Sequence, residues 1–136
     1  MSSEDAVMDR MIRESKTIAV VGISDRPGRA SKGVAEYLAD YYQIIPVNPT
    51  LTQWNGQTCY PSLSEIPAHI SVDLVDVFRR ASDTPPVVTE AIARKVKFIW
   101  LQQGIVSDES ANLAAAADVP IVMDACLAVE HAKRRS

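Results

Sequence analysis

Apolar residues change their period along this chain, and the changes mark out its elements. In the opening stretch MSSEDAVMDRMIRESK, Val7, Met8, Met11 and Ile12 recur at helical spacing and predict an amphipathic helix packed on the body. TIAVVG (17–22) is then a short, β-rich apolar run ending in glycine, the signature of a strand buried on both faces. Val34, Ala35, Leu38 and Tyr41 resume a helical stripe, and QIIPV (43–47) reads as a second buried strand stopped by Asn48-Pro49. QTCYPSLSEIP (57–67) holds a short extended piece and a turn of helix, with Ser62 and Glu65 at capping-box spacing. SVDLVDVF (71–78) is the third strand. Asp83-Thr84 caps a helix whose first turn accepts Pro85 and Pro86, since those amides need no intrahelical partner. KFIWLQQG (97–104) is the fourth strand, SDESANLAAAAD (107–118) a helix opened by Ser107, and VPIVMD (119–124) the fifth strand. Asp124 is the natural N-cap of a last, basic-ended helix.

Strand and helix therefore alternate throughout, which predicts an α/β fold: a five-stranded parallel sheet covered on both faces, in one domain spanning 1–136 with helix 1–15 packed on it. The expected strand order is 3-2-1-4-5, with a crevice between the first and fourth strands; the flavodoxin-like order 2-1-3-4-5 is the competitor. In either case a ligand binds at the carboxyl ends of the strands.

Composition narrows the function. The chain has 136 residues, 47% hydrophobic and 23% charged, with a net charge of −3, which argues against a protein that coats nucleic acid. No apolar run reaches the ~18 residues needed to cross a bilayer. The acidic start lacks the basic and apolar regions of a secretory signal, so the expected compartment is the cytoplasm. Cys59 and Cys126 make no disulfide framework, and their spacing with His69 and His131 does not resemble a metal-ligand set.

The segments after the strands carry the chemistry. After the first comes Gly22-Ile23-Ser24-Asp25-Arg26-Pro27-Gly28-Arg29-Ala30-Ser31-Lys32-Gly33. The dinucleotide fingerprint G-x-G-x-x-G would place its second glycine where Ser24 stands. The loop here is longer and wider, and Arg26, Arg29 and Lys32 add charge the fingerprint does not need; its amides and the following helix start suit an anion. After the second strand, Asn48 replaces the acid that an NAD site offers to ribose, which argues against NAD and leaves NADP open. Val77-Phe78-Arg79-Arg80 ends the third strand with an aromatic face and two guanidiniums able to fork onto phosphate. Gln102-Gln103-Gly104 and Met123-Asp124-Ala125-Cys126 close the fourth and fifth. Cys126 reads either as a reactive thiol near a helix start or as a small core residue. No nucleophile, base and orienting group converge, so these segments suit holding an anion better than transforming it.

Together TIAVVGISDRPGRASKGVAEYL, IIPVNP, VDLVDVFRR, WLQQG and VMDACLAVEH resemble the small single-domain CoA-binding proteins of bacteria and archaea, which are similar to the CoA-binding domain of the succinyl-CoA synthetase alpha subunit. The resemblance runs from about Thr17 to His131. It implies a Rossmann-like three-layer sandwich of order 3-2-1-4-5 with coenzyme A over the carboxyl ends of the strands. The phosphates would meet Gly22, Ile23, Ser24, Arg26, Arg29, Ser31 and Lys32, the adenosine side Asn48 and Pro49, and the rim Val77, Phe78 and Arg79. Gln102 and Gly104 would guide the pantetheine arm, with Met123 and Cys126 nearby. Relatives commonly carry a lysine soon after the Asn-Pro where this chain has Thr50-Leu51, a proline at the place of Ala30, and a basic residue at that of Ala125. The synthetase's phosphohistidine domain and partner subunit have no counterpart in these residues.

The resulting expectation is binding of CoA or an acyl-CoA without complete catalytic machinery, with no nucleic acid or membrane partner and room for a protein partner or homo-oligomer. An NADP-linked oxidoreductase or nicotinamide sensor is the alternative on the same fold, and an interaction subunit with a vestigial site is a third.

Overall fold

The computed structural model describes residues 3–135; Met1 and Ser2 of the expected opening helix, and Ser136, lie outside the described residues. The main strands are β1 (Thr17–Val21), β2 (Gln43–Val47), β5 (Leu74–Val77), β6 (Phe98–Leu101) and β7 (Ile121–Val122), and a small hairpin is formed by β3 (Gln53–Trp54) and β4 (Gln57–Thr58). The helices are α1 (Ser3–Glu14), α2 (Ala30–Leu38), α3 (Thr84–Ala93), α4 (Asp108–Ala116) and α5 (Leu127–Arg134).

The two-residue period of each strand sorts its side chains into two cores. Ile18 and Val20 of β1, Leu74 of β5 and Phe98 and Trp100 of β6 face one side, where they meet Met8, Met11 and Ile12 of α1, Ala35 and Leu38 of α2, and Leu127 of α5. Ala19, Val21, Val75, Val77, Ile99 and Leu101 face the other, against Val88 and Ala91 of α3 and Ala114 of α4. The result is a Rossmann-like three-layer α/β sandwich around a parallel sheet, as expected.

The order is not the expected 3-2-1-4-5. The sheet runs β2-β1-β5-β6-β7, so the third of the five main strands lies beside the first, and the order in those terms is 2-1-3-4-5. β1 pairs with β2 through Val21↔Val47 and with β5 through Val21↔Val77. The crevice accordingly opens between the first and third strands, β1 and β5. The outer edge of β2 is taken instead by an isolated parallel bridge from Val47 to Tyr60, in the short extended piece expected there. Tyr60 N–H donates to the Pro46 carbonyl at 3.0 Å, and Asn48 N–H to the Tyr60 carbonyl at 2.9 Å. Pro46, without an N–H, is tolerated because its missing donor would point to this edge and not to β1.

Three local expectations are corrected. Ser62 and Glu65 form no capping box: the 3-10 turn Leu63–Glu65 has no side-chain cap from Ser62, whose Oγ pairs with Ser64 Oγ, while Glu90 accepts from Ser64 N–H at 3.1 Å. Tyr41 lies past the end of α2 and is 43% exposed, because the helix stops at Leu38. Asp124 does not cap the last helix; Cys126 holds that position without a side-chain bond. By contrast Ser107 caps α4 as expected, accepting from Ser110 N–H at 3.1 Å.

Candidate functional site

Over the carboxyl ends of β1, β2, β5 and β6 lies a cleft of about 820 Å³. Its lining comes from the β1–α2 loop (Gly22, Ser24, Asp25, Arg26, Arg29, Ala30, Ser31), from the end of β2 (Asn48, Thr50, Leu51), from the end of β5 (Phe78, Arg79, Arg80) and from Ile105 beyond β6.

The β1–α2 loop is wide because two glycines turn it. Gly22 takes φ +86 and Gly28 φ +85, a region that side-chain-bearing residues enter at a cost. Gly22 N–H donates to the Val47 carbonyl at 2.9 Å, which keeps the start of the loop in register with the sheet. Arg26 N–H then donates to Ser24 Oγ at 3.0 Å, a local turn. The loop ends at α2, whose N-cap, Arg29, provides no side-chain cap. The first amides of α2 are therefore left without a side-chain cap at the positive end of the helix dipole, and Ala30 and Ser31 there line the cleft.

The hairpin β3–β4 braces this loop. Its Asn55-Gly56 turn has φ +51 and +79, the geometry that favours Asn-Gly between two strands. Trp54 is 2% exposed, and its Nε1–H donates to the Ser24 carbonyl at 2.9 Å. Neither Trp54 nor the hairpin was anticipated as a support of the site, although Asn-Gly is a strong hairpin signal.

Asn48 is spent on the same purpose. Its Nδ2 donates to the Ile23 carbonyl at 2.7 Å, and its Oδ1 accepts from Thr50 N–H at 2.9 Å and Thr50 Oγ1 at 2.8 Å. An amide is required here because a carboxylate would turn an acceptor onto the Ile23 carbonyl. The second Nδ2–H has no partner among the described residues.

Charge is concentrated in the cleft. Arg26, Arg29, Arg79 and Arg80 line it against one acid, Asp25. Arg80 is paired with Asp83 at 3.2 Å, whereas among the described residues Arg26, Arg29 and Arg79 have no side-chain partner. Three guanidiniums without a paired acid, drawn from the β1–α2 loop and the end of β5, give the cleft a positive character that favours an anion.

The cleft thus brings together Gly22, Ser24, Arg26, Arg29, Ser31, Asn48, Phe78 and Arg79. Other expected residues sit elsewhere. Ile23 and Val77 are fully buried core residues. Lys32 points along α2, paired with Glu36 at 2.6 Å. Pro49 is exposed but outside the lining. Gln102 is buried, its Nε2 donating to Asp76 Oδ1 at 2.6 Å. Gly104 N–H is taken by Asp124 Oδ1 at 2.7 Å. Met123 and Cys126 are half-buried at the β7–α5 junction, where Met123 Sδ accepts from Ser107 N–H at 3.5 Å. Asp25, Ala30, Thr50, Leu51, Arg80 and Ile105 complete the lining.

Below the cleft, Asp76 is fully buried in β5, and its Oδ2 has no partner. Desolvation pushes its carboxyl up to about 7, and the hydrogen bond from Gln102 pulls the other way. Cys59, beside the Asn48 carbonyl, is likewise raised by burial.

Fold and cleft define an α/β domain with an arginine-lined opening at the carboxyl edge of a parallel sheet. The chain belongs to the CoA binding domain family, which it matches over residues 16–132. It is 40% identical to YneT of Bacillus subtilis strain 168 over 128 residues, 93% of each chain. Among solved structures it resembles a Pyrococcus horikoshii OT3 protein (32% identity, TM-score 0.90, 95% of this chain and 90% of that one) and a Thermus thermophilus protein (33% identity, TM-score 0.88, 98% of each). It also shares its fold with a dinucleotide-forming acetyl-coenzyme A synthetase of Ca. Korarchaeum cryptofilum, at 22% identity and TM-score 0.71, where 84% of this chain covers 26% of that one. No helix among the described residues is long and apolar enough to cross a membrane.

Proposed function

We propose that the chain binds coenzyme A, free or as an acyl thioester, across the carboxyl ends of β1, β5 and β2. The diphosphate lies against the loop from Gly22 to Ser31 and the start of α2, and the 3′-phosphate within reach of a free guanidinium. Phe78 offers the adenine a face. Binding, not bond-making, is the role of these residues, which hold and orient phosphates.

The observation that carries this reading is the set Arg26, Arg29 and Arg79, which line the cleft without a side-chain partner among the described residues, in a chain whose net charge is −3. A ligand phosphorylated at two separate places satisfies them better than a single phosphate does. The replacement of an acid by Asn48 supports a phosphorylated ribose in the same way.

A thermal-shift panel tests the reading, because a ligand that binds only the folded chain stabilises it by ~2.7 kcal/mol at a hundredfold excess over Kd. CoA and acetyl-CoA raise the melting temperature and NADPH does not. A shift with NADPH alone would transfer the site to a nicotinamide nucleotide. No shift with either would leave an interaction role.

A further inference from the structure

β5 carries a single polar side chain in an apolar run, and it lies where the sheet is covered. Leu74 faces the core under α1, α2 and α5, while Val75 and Val77 face the other, so the alternation puts Asp76 on the side of Leu74. Its register partners are Val20 of β1 and Trp100 of β6. Gln102 Nε2 donates to its Oδ1 at 2.6 Å, and Oδ2 has no partner among the described residues.

Neither protonation state is satisfied by these surroundings. Ionised, the carboxylate is a buried charge with one neutral donor and no cation; protonated, Oδ2–H is a donor with no acceptor. The titratable groups bordering this core are Arg10 of α1, Tyr37 of α2 with Tyr42 beyond it, Cys59, and Cys126 and His131 of α5. None of them bonds or pairs with Asp76 among the described residues, and β1 and β6 carry no charged residue. Burial and the Gln102 bond alone set its proton affinity, which leaves it open to a field from outside the core.

The cleft supplies that field. Phe78 N–H, bonded to the Val21 carbonyl at 2.8 Å, continues the ladder of β5 into the cleft lining. At ~3.3 Å per residue Phe78 stands about 7 Å from Asp76 along the chain, and Arg79 about 10 Å. Arg79 without a partner favours the ionised carboxylate, and an anion that neutralises Arg79 removes that advantage. Across about 10 Å of protein a unit charge alters a proton affinity on the order of tenfold.

We propose that Asp76 makes the cleft pH-sensitive: binding of its anionic ligand is coupled to protonation of the Asp76 carboxyl, so the site holds CoA more tightly on the acid side of neutrality. The inference rests on the CoA reading above. The coupling is reciprocal, since whatever protonation adds to ligand affinity, the ligand adds to proton affinity.

Calorimetric titration of the wild type and Asp76→Asn with CoA, at pH 6 and pH 8.5, tests it. The ionisations of the ligand and of His131 are common to both proteins and cancel. The two proteins bind CoA within about twofold of each other at pH 6, and the asparagine variant binds on the order of tenfold more tightly at pH 8.5. At pH 7.5, titration in two buffers of different ionisation enthalpy shows the wild type taking up about half a proton more than the variant. Should the variant not fold, infrared difference spectra of the wild type at pH 7.5 decide: CoA has no carboxyl group, so a protonated-carboxyl band gained on adding it belongs to the protein. Equal pH dependence in the two proteins, equal proton uptake, or no gain of that band would overturn the assignment. A wild type that takes up no CoA at either pH removes the CoA reading itself, and this inference with it.

Discussion

Gly22 and Phe78 meet across the first and third strands of the sheet so closely that residue 22 has no room for a side chain. A Cβ placed on Gly22 would overlap the carbonyl oxygen of Phe78 and stand 3.3 Å from its Cβ. Phe78 N–H donates to the Val21 carbonyl at 2.8 Å, so the two strand ends are tied together where the chain crosses from one side of β1 to the other. This junction is the floor of the cleft. Its shape comes from one glycine with φ +86 and one aromatic packed beside the core.

Gly22→Ala therefore combines a backbone collision with a left-handed φ. The expected loss is roughly 2–5 kcal/mol, read as an earlier midpoint in urea unfolding. Gly28→Ala is the control, since φ is +85 there but a Cβ would meet nothing within 4 Å. It costs about 1 kcal/mol, from backbone strain alone. Equal midpoints for the two variants would show that the floor yields.

The arginines act on the ligand and not on the fold. Arg29→Ala and Arg79→Ala each weaken CoA binding by roughly 10- to 100-fold, since a charge-assisted hydrogen bond is worth ~1.5–3 kcal/mol. Their melting temperatures stay at the wild-type value, because neither guanidinium has a partner among the described residues. Calorimetry showing unchanged affinity in both variants would remove them from the site.

Asn48→Asp tests the support of the loop. It replaces the 2.7 Å bond to the Ile23 carbonyl with two acceptors facing each other and adds negative charge to the cleft. The expected cost in stability is about 1–3 kcal/mol, together with weaker CoA binding that recovers in part at high salt. Denaturant unfolding and titrations at two salt concentrations measure both. Wild-type values in each would make the amide dispensable.

Asp76 gives stability a pH dependence of definite sign. Burial raises its folded-state carboxyl to about 7 from an ordinary 3.8, so between these values the folded chain binds the proton that the unfolded chain releases. Its contribution is present in full at acid pH and is lost as pH rises through that window. Asp76→Asn, which keeps an oxygen for Gln102, removes the dependence. The variant gains stability over the wild type from about pH 5 upward, by a few kcal/mol at pH 8. His131 slopes the other way, since burial and Arg135 lower its affinity for a proton, but it is common to both proteins and cancels in the difference. A difference independent of pH would show that Asp76 titrates normally.

Much of this architecture is legible in short-range pattern. The runs 17–21, 43–47, 74–77 and 98–101 are strands because they are apolar, short and β-rich, and Ser107 caps its helix by local geometry. Strand order is not local. β1 has two equivalent edges, and β5 takes one of them, while Tyr60 fills the outer edge of β2. The arginine-bearing loop is readable because its residue types sit just after a strand. The Lys32–Glu36 pair was open to the same reading at i,i+4, and it withdraws that lysine from the cleft. The bonds from Asn48 to Ile23, Trp54 to Ser24 and Asp124 to Gly104 join residues 20 or more positions apart, so only the folded chain reveals them.

The most direct test of the central claim is a crystal structure of the protein soaked or grown with CoA. The account predicts the diphosphate over Gly22 to Ser31, within about 3 Å of backbone N–H groups, with Arg29 or Arg79 forked onto a phosphate. CoA bound away from this edge of the sheet, or absent at millimolar concentration, would contradict it.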